Sequence, residues 1–362
     1  MADIYNMNGG KVLHHMDRVL EWKAGKRIAP VHIDVGLSKG CNIHCNYCYG
    51  ITQANEFKKG AHKWFPEDRL LAYVRDAGKA GVRSMALIGE AEPTLNPAVY
   101  DAIIAGREAG VDMALGTNGL LYDEGPKGLA AMEHLTWLRF NISAASDKSY
   151  RRIHASKDFD KACHKIRFVV EQKRQRNLNL TVGLQMVLTP DTAPETVPLA
   201  KLGRELGVDY LVVKQCGDTV ENILGVYEHL GEYGTFDEML REAEAQSTDT
   251  YNVIVKWQKI QAAGKRNYGS CLGVPFLLYS SGDGKLYPCG MFFDWRSDEF
   301  LMGDLCEQSF IDILNSDRYW QVVERVATVM DVHKECYANC RTNEINNVLW
   351  QITHPPEHVN FI

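Results

Sequence analysis

Cys41-Asn42-Ile43-His44-Cys45-Asn46-Tyr47-Cys48 places three thiols within eight residues, directly behind the apolar run Val31-His-Ile-Asp-Val-Gly36. Alternating β-branched residues read as a strand, so the cysteines sit on the loop at that strand's C-terminal end. Thiols this close can converge on one metal centre, and cysteine thiolates are what hold iron–sulfur clusters. Gaps of three and then two residues supply three ligands and leave one iron of a four-iron cluster open. An open position is useful only where something must bind there. The competing reading is a zinc site, or three unrelated buried cysteines.

Five more strand candidates follow: Ser84–Gly89, Asp112–Thr117, Trp137–Ser143, Leu178–Leu188 and Tyr210–Cys216. Helical stripes separate them, such as Leu70, Val74 and Ala77, or Phe159, Cys163, Ile166 and Val170. Asn96-Pro97 reads as a helix start, and Gly110 and Gly207 as helix ends. Repeated strand–helix units predict a parallel sheet with right-handed crossovers. Six of them predict an α/β fold, a partial (β/α)6 TIM-like barrel over residues 31–245 behind an N-terminal extension, 1–30. Residues 246–267 read as a linker, with Tyr251–Trp257 a further strand candidate. Residues 268–362 read as a small C-terminal domain: a β-hairpin over Tyr279–Tyr287 with Asp283-Gly284 at its turn, then short helices over Phe310–Tyr319 and Val322–Val329.

The second strand runs into Gly89-Glu90-Ala91-Glu92-Pro93 and the third into Gly116-Thr117-Asn118-Gly119. Alternation on the fourth strand gathers Trp137, Arg139, Asn141 and Ser143 on one face and Leu138, Phe140 and Ile142 on the other. On the fifth, Gln185 opposes an aliphatic face. The aliphatic sets belong against outer helices, so the polar sets line the barrel. Burying them dry is costly, and a polar ligand inside removes the difficulty. Together with the Cys-x3-Cys-x2-Cys triplet, these features resemble the radical S-adenosylmethionine (SAM) superfamily. The resemblance implies a [4Fe–4S] cluster on Cys41, Cys45 and Cys48, with SAM chelating the open iron and being cleaved to methionine and a 5′-deoxyadenosyl radical. It further implies SAM contacts from the turn Gly89, Glu90, Ala91 and Glu92, where the family's Gly-Gly-Glu-Pro is spread into Gly-Glu-Ala-Glu-Pro. Thr117, Asn118, Ser143 and Gln185 are implied beside SAM, and Tyr47 against its adenine.

Cys271, Cys289, Cys336 and Cys340 form a second group, with Gly284 between the first two. Their opening spacing resembles the SPASM/Twitch domains of the same superfamily. Four cysteines rather than seven match the Twitch type and one auxiliary [4Fe–4S] cluster, fully ligated and so suited to electron transfer. A structural zinc on the same four is the competing reading. Cys306 reads as a spare ligand or a buried thiol. Cys216 shares the inner face of the sixth strand with Lys214, and radical SAM epimerases of this broad type use such a cysteine to return a hydrogen atom.

Bulk properties bound the rest. The chain has 362 residues, 45% of them hydrophobic, enough for one large core and a smaller unit. Net charge is −6 and evenly spread, without the basic stripe of a nucleic-acid binder. No apolar run has membrane-spanning length and no signal-peptide core opens the chain, so a cytoplasmic protein is expected. Ten cysteines in spaced groups point to metal rather than disulfides. Hydrogen abstraction is expected from a small polar substrate (a sugar, aminocyclitol or nucleotide-sugar), followed by oxidation (dehydrogenation) or epimerisation. Only 40 residues precede Cys41, fewer than the recognition domain usual in peptide-modifying relatives. Peptide or protein modification is the alternative, and an Fe–S or zinc electron carrier or scaffold the non-enzyme alternative. A flavodoxin or ferredoxin electron donor follows from the resemblance alone.

Overall fold

A computed structural model describes residues 8–48 and 63–361. The strands are β1 (His32–Val35), β2 (Ser38–Lys39), β3 (Lys63–Trp64), β4 (Ser84–Leu87), β5 (Asp112–Thr117), β6 (Leu135–Asn141), β7 (Thr181–Leu188), β8 (Tyr210–Gln215), β9 (Asn252–Val255), β10 (Leu277–Ser280), β11 (Lys285–Tyr287) and β12 (Gly303–Asp304). The helices are α1 (Met16–Lys23), α2 (Glu67–Ala80), α3 (Val99–Glu108), α4 (Pro126–Met132), α5 (Asp147–His154), α6 (Phe159–Gln175), α7 (Thr196–Leu206), α8 (Asp237–Glu244), α9 (Trp257–Ala262), α10 (Ser297–Phe300), α11 (Phe310–Asn315), α12 (Asp317–Thr328) and α13 (Asn343–Thr353). Among the described residues no helix is long and apolar enough to cross a membrane.

All six expected barrel strands are present, as β1 and β4 to β8. They lie side by side in one sheet ordered β12-β11-β10-β1-β4-β5-β6-β7-β8-β9. Every ladder from β10 to β9 is parallel. The aliphatic faces pack outward as alternation requires: Leu138, Phe140, Val182 and Leu184 are buried in the main core. α2 shows the matching helical logic. Leu70, Tyr73, Val74 and Ala77 recur on one face and are all buried, and the helix stops at Gly81, whose φ of 87° only glycine adopts freely.

The C-terminal part departs from the expected separation. Residues 246–267 contain β9, which pairs in parallel with β8. The hairpin of β10 and β11 extends the barrel sheet, because β10 pairs in parallel with β1, Ile33 opposite Leu278. The physical reason is in the composition. Leu277-Leu278-Tyr279-Ser280 is buried along its whole length, which is how a strand covered on both faces reads, and the free edge of β1 offers it a ladder. Farther on, the expected single helix over Phe310–Tyr319 divides at Ser316, whose side chain caps α12 by accepting from Tyr319 N.

Among the described residues no ladder joins β9 to β10, so the row stays open between them. The loop from Cys336 to Arg341 bridges the two sides. Arg341 forms an ion pair with Asp34 on β1. Asn339 Nδ2 donates to the Gln215 carbonyl at the end of β8 (2.5 Å), while its Oδ1 accepts from Lys259 Nζ (2.7 Å).

The hairpin turn is fastened as closely. Gly282 N donates to Glu90 Oε1 (3.1 Å), and Lys39 Nζ lies 3.6 Å from Asp283. A Cβ at Gly282 would stand 2.0 Å from the Ser38 carbonyl oxygen. Gly282→Ala is therefore expected to destabilise the chain by about 1–3 kcal/mol through overpacking. Chemical unfolding of the full-length protein checks this, and an unchanged midpoint would refute the contact.

Candidate active site and cluster sites

The triplet loop is held from below by the end of α5. The last carbonyls of a helix lack intrahelical partners, and here two of them receive the loop. His44 N–H donates to His154 O (3.2 Å) and Asn46 N–H to Ile153 O (2.9 Å). None of the ten cysteines is in a disulfide. Burial pushes the Cys41 thiol up to about 12, helped by the Glu92 carboxylate and Cys48. Burial also raises Cys45 well above its ordinary value, with Cys48 and Cys41 adding to it. The three thiols thus lie near enough to repel one another as thiolates, a strain that a bound cationic metal centre reverses.

The sequence reading missed His154. It is fully buried, with Nδ1 3.0 Å from Cys45 Sγ and Nε2 accepting the Ser143 backbone N–H at 3.0 Å. Burial lowers its pKa to about 3, so the ring is neutral. In sequence it is merely the last residue of α5, 109 positions from the cysteine it meets, so no local signal could have found it.

The Gly89–Pro93 turn is braced by Glu92. Its Oε1 accepts from Thr117 Oγ1 (2.5 Å), Thr94 Oγ1 (2.6 Å) and Thr94 N (3.0 Å), and its Oε2 from Asn118 N (2.7 Å). Burial raises its pKa against these donors. The Glu92 carboxylate thus joins the β4 turn to the end of β5. Its backbone is engaged too, donating to Gly40 O and accepting from Ser38 Oγ. A Cβ at Gly89 would lie 2.3 Å from Gly36 Cα, so this turn and β1 touch through backbone alone. Asn118 Nδ2 donates to Asn42 Oδ1 (2.7 Å) and lies 3.9 Å from Cys41 Sγ.

The remaining expected positions converge on the same mouth. Ser143 Oγ accepts from Val187 N (3.0 Å), and Gln185 Nε2 donates to Asn141 Oδ1 (2.8 Å). The Tyr47 ring meets His154 edge-on at 5.8 Å, and its buried hydroxyl, with Ser143 and Cys45 as polar neighbours, lies within ordinary hydrogen-bond geometry of no described residue. An orphaned buried hydroxyl fits a pocket whose polar ligand completes it. Cys216 Sγ donates to Gly217 O (3.2 Å) and Tyr47 O (3.5 Å), on the wall of a cavity of about 240 Å³ shared with Tyr47, Thr189, Leu224 and Tyr233. Burial, followed by the Asp218 charge, pushes this thiol up to about 12.

The barrel interior is electropositive. Arg139 lies over Trp137, 4.9 Å from the ring centre. Lys214 keeps some open surface but has no carboxylate partner among the described residues. Burial, then the charges of Arg139, Lys259 and Arg341, push it down to about 7. The carboxylate among these cations, Asp34, is already engaged by Arg341 and by His32 Nε2 (2.9 Å). Burial opposes its ionisation, but these two partners prevail and hold it at about 2.

Cys271, Cys289, Cys336 and Cys340 come together on the far side. Burial raises Cys271, Cys289 and Cys336, and Cys340 is the next cause in each. Asn346 on α13 organises the first of them. Its Oδ1 accepts from Leu272 N and Gly273 N, and its Nδ2 lies 3.5 Å from Cys271 Sγ. Cys306 stands apart, its thiol donating to Asp283 O. Among the described residues no three His, Cys, Asp or Glu side chains close on one point as a single metal ion requires. A multi-iron cluster spans its thiolates more widely, and both groups are all-sulfur donor sets.

Comparison with known proteins agrees. The radical SAM superfamily profile matches residues 35–198, and that of the iron–sulfur cluster-binding SPASM domain matches 277–342. AdoMet-dependent heme synthase of Methanosarcina barkeri is 25% identical over 315 residues, covering 79% of this chain and 82% of that one. GTP 3′,8-cyclase of Helicobacter pylori is 31% identical over 128 residues, 34% of this chain and 38% of that one. In fold, SAM-bound SuiB of Streptococcus suis superposes with a TM-score of 0.66 at 15% identity, covering 92% of this chain and 78% of its own. AdoMet-bound anSMEcpe gives 0.55 at 15%, covering 83% of this chain and 84% of its own.

Arg341→Met is expected to cost about 3–5 kcal/mol at neutral pH, because Asp34 is left buried and charged without its partner. Adding Asp34→Asn should restore part of that loss. Thermal melts of the full-length chain under anaerobic conditions check the pair, and a double variant no more stable than Arg341→Met would refute the coupling.

Proposed function

From a chain that belongs to the radical SAM superfamily and carries a SPASM iron–sulfur domain, we propose an enzyme that abstracts hydrogen from a small polar substrate bearing an anionic group and then epimerises the carbon. Cys41, Cys45 and Cys48 hold the SAM-binding cluster in this reading, and Cys271, Cys289, Cys336 and Cys340 the auxiliary one. When bound, cluster and SAM supply a 5′-deoxyadenosyl radical; the chain's share is positioning, dryness and charge.

One observation carries the reading: a buried, protonated Cys216 on a cavity wall, in contact with the Tyr47 carbonyl. A thiol in that state has a hydrogen atom to give. It passes to the substrate carbon, a C–H bond forms as the S–H bond breaks, and the thiyl left behind is reset by one electron from a low-potential flavodoxin or ferredoxin and one proton. Tyr47, Ser143 and Gln185 border the mouth where SAM would lie, and the backbone of Gly89, Glu90 and Ala91 forms its rim. Lys214, which has no ion pair among the described residues, supplies positive charge when protonated, which favours a phosphate or carboxylate on the substrate. Among the expected substrates this selects a nucleotide-sugar over a cationic aminocyclitol. We place the protein in the cytoplasm.

Dehydrogenation is the second reading. The docking of the Cys336–Arg341 loop on β1 and β8 favours it, since this brings auxiliary-cluster ligands against the barrel that holds the substrate. A peptide is the competing substrate; SuiB has been solved with its precursor peptide SuiA.

Two measurements separate these outcomes. With reduced, reconstituted enzyme, SAM and ring-deuterated nucleotide-sugars, deuterium should appear in deoxyadenosine; transfer from a peptide and from no carbohydrate would reverse the substrate assignment. In D2O the wild-type product should gain one solvent deuterium through the exchangeable thiol, and the Cys216→Ala product none. A ketone lacking solvent deuterium in both would replace epimerisation with oxidation.

A further inference from the structure

We propose that His154 is a positioning residue that raises the reduction potential of the SAM-binding cluster by donating a hydrogen bond from Nδ1 to Cys45 Sγ. The inference rests on the reading that Cys41, Cys45 and Cys48 hold that cluster.

The direction of the bond follows from its neighbours. A backbone N–H can only donate, and that of Ser143 stands 3.0 Å from Nε2. Nε2 must therefore present its lone pair, and a neutral imidazole then carries its proton on Nδ1. Nδ1 stands 3.0 Å from Cys45 Sγ, and a thiolate can only accept. An imidazolium would lose the Ser143 bond and leave a buried N–H without a partner. Tyr150 packs over the ring at 4.5 Å, and no surface of the residue reaches solvent, so water does not compete for the sulfur. The backbone of residue 154 also accepts His44 N–H, and ring and cysteine loop are thereby held by the same residue.

Hydrogen bonds to ligating sulfur are one of the levers that set cluster potential. An N–H aimed at a thiolate draws electron density from it, and so favours the form carrying the extra electron. Burial acts the other way, disfavouring added charge in a dry site. The step affected is the one-electron reduction of the cluster by an external low-potential donor; no proton moves, because Nδ1 keeps its hydrogen. Asn118 Nδ2 approaches the Cys41 sulfur only to 3.9 Å, whereas His154 Nδ1 reaches Cys45 Sγ at 3.0 Å.

The test uses the full-length, anaerobically reconstituted protein. The cluster whose electron paramagnetic resonance signal changes on adding SAM is followed in a redox titration without SAM, alongside iron and sulfide content. His154→Phe removes the donor. Its midpoint is expected to move negative by about 59 mV or more, a tenfold change in the reduced fraction at fixed potential. His154→Gln, whose amide can donate to sulfur and accept from Ser143, is expected to recover much of that shift. A merely structural role would lower iron content and leave the potential of the loaded fraction alone. His154→Phe with wild-type potential overturns the proposal. So does a wild-type protein, grown with 15N-histidine, whose SAM-sensitive signal shows no histidine nitrogen coupling, and this measurement does not depend on any variant folding. A wild type with no SAM-sensitive cluster would instead sink the reading of the three cysteines.

Discussion

An incomplete barrel leaves two strand edges and a side opening, and the ion pair between Asp34 and Arg341 is where this chain closes them. β10 covers the edge of β1, β9 covers the edge of β8, and the Cys336–Arg341 loop spans what remains. An unsatisfied parallel edge is a row of unpaired backbone groups, so the C-terminal third is required by the barrel as well as attached to it. Asp34 is buried and Arg341 partly so, and such a pair is weak evidence of net stability. Its contribution is registry: it ties the loop bearing Cys336 and Cys340 to the strand that leads into Cys41.

The same closure sets the electrostatics. Arg341 and Lys259 enter beside the auxiliary cysteines, while Arg139 and Lys214 project from β6 and β8. Cations enclosed together raise one another's cost of ionisation, and Lys214 shows it most plainly. Thiolate clusters carry negative charge and lie close to Arg341 and Lys259. Lys214 is left for whatever occupies the barrel. On the opposite rim, Glu92, Thr117 and Asn118 lock the β4 and β5 loops together.

Much of this was legible in the chain. The period-two pattern located six barrel strands because one face of each meets a helix and the other a polar interior. The spacing of Cys41, Cys45 and Cys48 located the first thiol group because ligands that are chain neighbours converge locally, whereas the second, spread from Cys271 to Cys340, was reached by resemblance. What the Glu92 carboxylate does was not legible, because two of its four donors, Thr117 Oγ1 and Asn118 N, come from the end of β5, some 25 residues away in the chain. The hairpin of β10 and β11 was readable as a hairpin, but its partner was not, since a parallel neighbour leaves no mark within the strand itself.

By itself the sequence determined the strand–helix alternation, the first thiol donor set and the polar lining, because each depends on residues within a few positions of one another or on a simple period. Only the tertiary structure decided that Asp34 meets Arg341 across 307 positions, that β10 belongs to the barrel, and that His154 turns its Nδ1 toward Cys45. Those are contacts between distant segments, and loop closure costs so little more for a long loop than for a short one that separation in the chain says almost nothing about which of them form.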